Sequence, residues 1–139
     1  HRVDRRQRQM CIRDRFKDAV GPNGADIVYD IVGGDYSEPA LRSIAWEGRF
    51  LVIGFPAGIA KMPLNLTLLK SCDIRGVFWG AFTAREPEKN AANIAELFQL
   101  WQDGKIAPLI SETYPLDKAH EAIAKLESRS AIGKLVVTM

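Results

Sequence analysis

Two apolar segments that each end in glycine constrain the fold of this chain more than any other feature. The first is GADIVYDIVGG (residues 24–34) and the second is EGRFLVIGFPAG (residues 47–58). Between them lies EPALRSIAW, whose apolar residues recur at helical spacing. The order strand, helix, strand predicts two parallel strands joined by a helical crossover. Ligands of open α/β sheets bind beside the carboxyl ends of such strands, where these glycines stand.

The same kind of pattern continues along the chain. β-Branched residues predict a strand over residues 26–32 that is buried on both faces. Ser37 is predicted to cap a helix that runs to Trp46. The other predicted elements are a helix that ends over residues 16–20, strands over residues 49–53, 73–79, 110–114 and 134–138, and helices over residues 64–69, 86–102 and 115–128. This order predicts the α/β fold class, with a parallel sheet.

The first fifteen residues differ in composition from the rest of the chain. They hold six arginines and two aspartates, whereas the whole chain has a net charge of only +2. The chain begins with His, and the stretch QMCIRDR resembles a translated sequencing adaptor. We expect residues 1–15 to be a foreign, disordered head on a truncated reading frame. The head has no aromatic residue to stack on a base, so nucleic-acid binding is not expected.

Composition argues against several other classes of protein. The 139 residues, of which 47% are hydrophobic and 26% charged, fit one ordinary globular domain. No apolar run approaches the roughly 18 residues of a membrane span. The two cysteines, Cys11 and Cys72, predict a reducing compartment and a cytoplasmic location. His1 and His120 stand alone, so no zinc site is expected. The sequence also lacks the G-x-S-x-G motif of serine hydrolases.

Five motifs in sequence order resemble the C-terminal half of a medium-chain dehydrogenase/reductase, within its zinc-free quinone oxidoreductase branch. They are GADIVYDIVGG, GRFLVIGF, the passage from NLTLLKS to GVFWG, GKIAPLISETYPLDKAHEAI and SRSAIGKLVV. The resemblance implies an α/β fold with a partial Rossmann-type, doubly wound parallel sheet. Residues 16–105 would form the C-terminal half of a nucleotide-binding domain. Residues 106–139 would return to the catalytic domain of the full-length protein.

The resemblance also implies which residues after the first two strands meet a nicotinamide cofactor. Val32 and Gly33 would lie on the ribose side of the nicotinamide, and Gly54 and Phe55 would border the nicotinamide itself. A glycine after a strand also serves any tight turn, so the two glycines keep that alternative. Asp30 is expected to hydrogen-bond nearby backbone rather than to act in catalysis.

Further along the chain, the resemblance implies that Phe78, Trp79 and Gly80 offer backbone groups to the carboxamide. The alternative for Phe78 and Trp79 is sheet core, since aromatic residues are common in strands. Arg129 would face the cofactor, and its alternative is a solvated charge at a helix end. No catalytic residue is predicted, because in this branch hydride passes directly from the nicotinamide to the substrate.

The sequence lacks the glycine-rich G-x-G-x-x-G/A turn that holds the pyrophosphate in this family. We expect that turn and the catalytic domain to lie upstream. The resemblance implies an oxidoreductase that uses NADPH, with NADH as the alternative and without zinc. Its substrate would be a quinone or an α,β-unsaturated carbonyl. The fragment by itself is expected to be inactive.

Two other interpretations stay open. The chain could be a non-catalytic half-Rossmann module that forms a homodimer through its edge strand at residues 73–79, as the resemblance implies for the family. It could also come from another Rossmann enzyme, such as a methyltransferase, although the closing YPLDKAHEAI and GKLVV segments argue against this. Cofactor affinity separates the first interpretation from an oxidoreductase.

Overall fold

The computed structural model describes the backbone of residues 2–139 and the side chains of residues 10–139. The chain divides into two compact units, the first ending at Ala81 and the second covering Phe82–Met139. This division lies before the boundary that the sequence predicts at residue 105. The long helix predicted over residues 86–102 therefore falls in the second unit.

The first unit contains a three-stranded sheet in the order β1-β2-β3. Its elements are α1 (Arg2–Val20), β1 (Ala25–Asp30), α2 (Ser37–Arg42), β2 (Ile44–Val52), α3 (Asn65–Lys70) and β3 (Asp73–Gly76). Both strand pairs are parallel, which confirms the predicted arrangement. Asp30 of β1 pairs with Val52 of β2, and Val52 pairs with Gly76 of β3. The carboxyl ends of the three strands therefore lie at one edge of the sheet.

The N-terminal segment differs from the expectation of a disordered head. The backbone is helical from Arg2 to Val20 with no break at residue 15, so the predicted disorder is wrong for residues 2–15. The first residue lies outside the described part, and the foreign origin of the head stays a prediction. The helix ends where the GPNG segment predicts, because Gly21 adopts a φ of 72° and donates to the carbonyl of Lys17 at 2.9 Å.

One face of the first sheet carries the core of this unit. Leu41 and Phe50 are 0% exposed and Ile44 is 1% exposed. The cluster consists of Ala40, Leu41, Ile44, Phe50, Leu66 and Cys72, with Phe16, Val28, Val52, Met62 and Ile74 partly buried against it. On the opposite face of β1, Ile27 and Tyr29 are 62% and 65% exposed. The sequence predicts burial on both faces of β1, but the described residues cover only one.

Two predicted elements end earlier than expected. Helix α2 stops at Arg42 rather than at Trp46, because Ser43 leaves helical geometry and its carbonyl accepts the N–H of Ala25 at 3.0 Å. Residues 44–46 then begin β2. Strand β3 stops at Gly76, so the strand predicted over residues 73–79 is too long.

The second unit pairs its two strands in parallel as well. Helix α4 (Trp79–Arg85) contains the division between the units, and α5 (Pro87–Gln102), β4 (Ile110–Pro115), α6 (Ala119–Glu127) and β5 (Lys134–Thr138) follow. The bounds of α5, β4 and β5 agree closely with the predicted elements, whereas α6 begins at Ala119 rather than at residue 115, and α4 was not predicted. Within residues 82–139, all of which the structure describes, Ala122 is the only buried residue.

Candidate functional site

The carboxyl edge of the first sheet brings together the segments that follow β1, β2 and β3. Beyond the strands, the N–H of Ile53 donates to the carbonyl of Asp30 at 2.9 Å, and the N–H of Val77 donates to the carbonyl of Val52 at 2.9 Å. These bonds carry the ladder past the ends of β2 and β3. The segments at residues 31–34, 53–58 and 77–80 therefore leave the sheet side by side.

The turn after β1 is tied to the loop after β2 by backbone hydrogen bonds. The N–H of Gly34 donates to the carbonyl of Gly58 at 2.7 Å. The N–H of Ala57 donates to the carbonyl of Val32 at 2.9 Å. We call residues 31–34 and 53–58 together the paired turns. Because backbone bonds join them, the paired turns form one preorganised element.

The close approach of the two turns requires a glycine at position 33. Its φ of 73° lies in the left-handed region, which L side chains rarely adopt. A Cβ on Gly33 would come within 2.7 Å of the Gly58 carbonyl oxygen and 2.8 Å of the Phe55 Cα. The tight-turn alternative is therefore correct for Gly33, whereas its contact with a cofactor stays a prediction. Gly54 differs, because a Cβ there would make an ordinary contact of 3.4 Å with the Ile31 carbonyl oxygen.

The side chain of Asp30 accepts hydrogen bonds from the turn that follows β1. Its Oδ1 accepts the N–H of Val32 at 2.9 Å and the N–H of Gly33 at 2.8 Å. Its Oδ2 accepts the hydroxyl of Ser37 at 2.5 Å. Asp30 is only 9% exposed. The prediction that Asp30 hydrogen-bonds nearby backbone is confirmed.

Ser37 is a site residue whose role the sequence analysis missed. It is predicted as a helix cap, but it lies inside α2, after the capping position at Tyr36. Its side chain is 2% exposed and bonds to Asp30, seven positions earlier. No periodicity in the sequence marks such a pair, because the contact depends on how the turn at residues 31–36 folds back.

A small cavity of about 140 Å³ lies against the paired turns. Its lining contains Gly33, Gly54 and Phe55, three of the residues that the resemblance implies for the cofactor. The other lining residues are Asp30, Ser37, Phe50, Val52, Ile59, Ala60 and Met62. Sites that enclose small molecules measure about 300–1,000 Å³, so this cavity fits one group of a dinucleotide rather than the whole.

The outer surface of the paired turns is apolar and open. Val32 is 39% exposed, Ile31 is 54% exposed and Phe55 is 61% exposed. A flat, weakly polar ring such as nicotinamide is the kind of group that packs on apolar side chains at a binding site. The residues present therefore fit the nicotinamide end of a cofactor.

Phe78 and Trp79 lie beyond the end of β3 rather than within it. They are 77% and 66% exposed, so the sheet-core alternative is wrong for both. Trp79 begins α4, and Gly80 follows it in the same helix. Their position after β3 places them at the same edge as the paired turns. Contact of their backbone with a carboxamide stays a prediction.

Arg129 belongs to the second unit. It follows the end of α6, is exposed, and adopts a left-handed φ of 57°. Its exposure agrees with the alternative of a solvated charge at a helix end. A contact between Arg129 and a cofactor stays a prediction.

A larger cavity, of about 600 Å³, lies at the opposite edge of the first sheet. Lys17 near the end of α1, Arg42 at the end of α2 and Lys70 at the end of α3 line it. Helix C-termini carry partial negative charge, which attracts lysine and arginine but disfavours phosphate groups. The ammonium of Lys70 is also bonded to the carbonyl of Ile44 at 2.6 Å. This cavity is therefore the weaker candidate for a dinucleotide.

Among the residues that the structure describes, no three His, Cys, Asp or Glu side chains come together in a group that could hold a metal ion.

Comparison with known proteins supports the sequence resemblance. The family described as zinc-binding dehydrogenase matches residues 1–137. The chain belongs to this zinc-binding dehydrogenase family. Quinone oxidoreductase-like protein 2 of Bos taurus is 36% identical over 121 residues, which cover 86% of this chain. Its homolog in Nematostella vectensis is 33% identical over 128 residues, or 91% of the chain.

The fold comparison agrees with this zinc-binding dehydrogenase assignment. A mycobacterial protein solved in complex with NADPH is 26% identical and has a TM-score of 0.70, with 94% of this chain covered. It supports the Rossmann-like α/β fold that the sequence predicts. The chain spans 35% of the length of the two curated relatives and 40% of the solved mycobacterial chain.

In the part of the chain that the structure describes, no helix is both long enough and apolar enough to cross a bilayer. The cytoplasmic location stays a prediction.

Proposed function

We propose that this chain supplies the nicotinamide end of a cofactor site in an NADPH-dependent oxidoreductase. The observation that carries the proposal is the carboxyl edge of the first sheet, where three parallel strands deliver apolar, exposed segments side by side. This is the edge at which open α/β sheets bind their ligands. The substrate of the full-length protein would be a quinone or an α,β-unsaturated carbonyl.

The chemistry of the edge supports this role. When bound, the reduced nicotinamide supplies the hydride. The chain's own residues would hold the ring and exclude water: Val32 and Phe55 from the paired turns, and Phe78 from the segment after β3. Each carries an apolar side chain that is more than a third exposed. Because the paired turns are hydrogen-bonded to each other, cofactor binding would not require a loop to become ordered, and the entropy loss on binding would be smaller.

NADPH is proposed over NADH because a related structure contains NADPH. The same reasoning gives the substrate class, since curated relatives carry the name quinone oxidoreductase-like protein. The choice of NADPH and the substrate class are properties of whole proteins, of which this chain covers only 35–40%.

The test uses Gly54, where the fold tolerates a methyl group but a cofactor in close contact would not. A Cβ at Gly54 makes no contact shorter than 3.4 Å. In the complete reading frame that contains this chain, Gly54→Ala should raise the Kd for NADPH about tenfold, the cost of an overpacked contact. Titration of NADPH fluorescence measures the Kd, and thermal unfolding should show no change.

Gly76→Ala is the matched control, because a Cβ there meets nothing within 4 Å. It should leave both the Kd and the stability unchanged. If the wild-type protein binds neither NADPH nor NADH, the proposed function is wrong. If it binds and Gly54→Ala binds equally well, the cofactor does not approach this strand end.

A second candidate function is self-association through β3. Within the described residues, β3 lies at the edge of the sheet and pairs with β2 alone. Since Val77 directs its N–H toward β2, the N–H of Gly76 points away from β2. Gly76→Pro would remove that outward donor while leaving the β2 pairing intact. Sedimentation of a dimeric wild type and a monomeric variant would support the dimer, and a monomeric wild type would exclude it.

A further inference from the structure

The buried carboxylate of Asp30 has a role that catalysis does not account for. It accepts two backbone N–H groups and one hydroxyl, all from the segment that follows β1. Both N–H donors, at Val32 and Gly33, belong to the turn that carries two of the implied cofactor residues. The carboxylate therefore holds two successive peptide planes of this turn in one orientation.

The orientation of these peptides also determines the position of the neighbouring loop. Because the N–H of Gly33 is held by Asp30, the Val32 carbonyl of the same peptide points the opposite way, toward Ala57, whose N–H it accepts at 2.9 Å. The next peptide N–H, at Gly34, reaches the Gly58 carbonyl at 2.7 Å. Misalignment of the turn would break these bonds, and the loop at residues 55–58 would lose its position.

We propose that Asp30, held by Ser37, is a positioning residue that sets the geometry of the paired turns for cofactor binding. This rests on the proposed function. Asp30 itself is covered by its own turn and directs its lone pairs into protein donors, so it acts through Val32 and Gly33. An acceptor is needed at this position, because the N–H of Gly33 is buried and that of Val32 is partly buried, and an unpaired buried N–H carries a desolvation cost.

The first test is Asp30→Ala in the complete protein, with Asp30→Asn as the conservative rescue. Alanine removes the acceptor, so the Kd and the KM for NADPH should rise about tenfold, as expected for the loss of a charged hydrogen-bond acceptor. Asparagine keeps an oxygen for the two N–H groups, and the Ser37 hydroxyl can rotate to accept from its amide. The Kd of Asp30→Asn should therefore stay within about threefold of wild type.

The kinetic signature separates positioning from a merely structural role. A positioning residue for the cofactor alters KM for NADPH and leaves kcat at saturating NADPH unchanged. A structural defect would lower the active fraction, and with it kcat, while KM stays constant. Glu38→Gln is the control: Glu38 lies beside Ser37 but pairs with Arg42 at 2.7 Å, so its loss should change neither constant.

Two further measurements keep the outcome decisive. If Asp30→Ala does not fold, Ser37→Ala removes one anchor of the carboxylate and should raise the Kd about threefold. Amide hydrogen exchange without cofactor should be faster at Val32 and Gly33 in both variants. A wild type that binds no cofactor overturns the proposed function. A wild type that binds NADPH, with Asp30→Ala and Ser37→Ala binding equally tightly, overturns the positioning role alone.

Discussion

The two units of this chain are built from similar elements but bury their apolar residues to different extents. In the first unit, Leu41, Ile44 and Phe50 are at most 1% exposed. In the second unit, Ala122 is the only buried residue among residues 82–139. Both units contain parallel strands with an amphipathic helix beside them. The difference shows that an apolar pattern becomes a core only where another element covers it.

Helix α5 illustrates this in the second unit. Its apolar stripe is present as predicted, yet Ile94, Leu97, Phe98 and Trp101 are 41–62% exposed. Together with Ile106 and Pro108 they line an apolar groove of about 370 Å³. Within the first unit, by contrast, α2 and α3 both place buried side chains in the core cluster.

The largest effect should come from emptying the core of the first unit. Phe50→Ala leaves a cavity at a residue that is 0% exposed, so it should destabilise the unit by about 3–5 kcal/mol. Phe98→Ala, at a residue 62% exposed in the second unit, should cost less than about 1 kcal/mol. Residue-resolved hydrogen exchange measures both. Equal losses would show that the units do not differ in this way.

Crowding of the backbone should destabilise both units equally. A difference in stability between the units would then come from side-chain burial. Gly33 in the first unit and Gly133 in the second have φ values of 73° and 79°. A Cβ on either would lie within 2.7 Å of a backbone oxygen. Each glycine-to-alanine change should therefore cost about 3 kcal/mol locally.

The control for these two variants is Gly76→Ala, which places its methyl group in open space. Its effect should stay within about 0.5 kcal/mol. A tolerated Gly33→Ala would show that the paired turns can move apart at low cost, and would weaken the view that they are preorganised.

The smallest effect should come from a charge network in the second unit. Glu112 accepts hydrogen bonds from the Lys125 ammonium and the Tyr114 hydroxyl. The bond from Lys125, followed by that from Tyr114, holds the pKa of Glu112 below 4.5. A lowered carboxyl pKa stabilises the fold above pH 4.5, and this contribution is lost as the pH falls through the lowered value.

The same network raises the pKa of Tyr114 above 10, through its bond to Glu112. That contribution is present below pH 10 and is lost as the pH rises through the raised value. Glu112→Gln should therefore flatten the stability of the second unit at both ends of the pH range. Glu127→Gln, which removes an exposed carboxylate on α6 outside this network, is the matched control. Unfolding by urea across pH measures both variants.

Sequence patterns predicted the elements better than their ends. Ile44 and Ala45 fall within the helix predicted to run to Trp46, but they are the first residues of β2. The structure pairs Ala25 with Ile44 across the sheet. Pairing with a strand distant in sequence is not encoded in local periodicity, which is why α2 and the predicted strand at residues 73–79 were both too long.

Only part of the candidate site was predicted, because some of its contacts join residues that local sequence patterns do not link. Gly33, Gly54 and Phe55 were implied by the family resemblance, the two glycines also follow strands, and the structure brings all three to one cavity. Ser37 was missed because its partner, Asp30, meets it only after the turn folds back. Arg129 lies in the other unit, and its predicted role is still to be tested.

The sequence by itself determined the order of strands and helices, the glycines at the strand ends and the family. The elements and the glycine turns depend on side-chain periodicity and backbone propensity, which act over a few neighbouring residues, whereas the family follows from the resemblance of five motifs. Only the tertiary structure decided that Gly33 is crowded by Phe55 and Gly58, and that Asp30 holds the turn above it. Those contacts join segments from different strands, and their geometry exists only once the parallel sheet has brought the strand ends together.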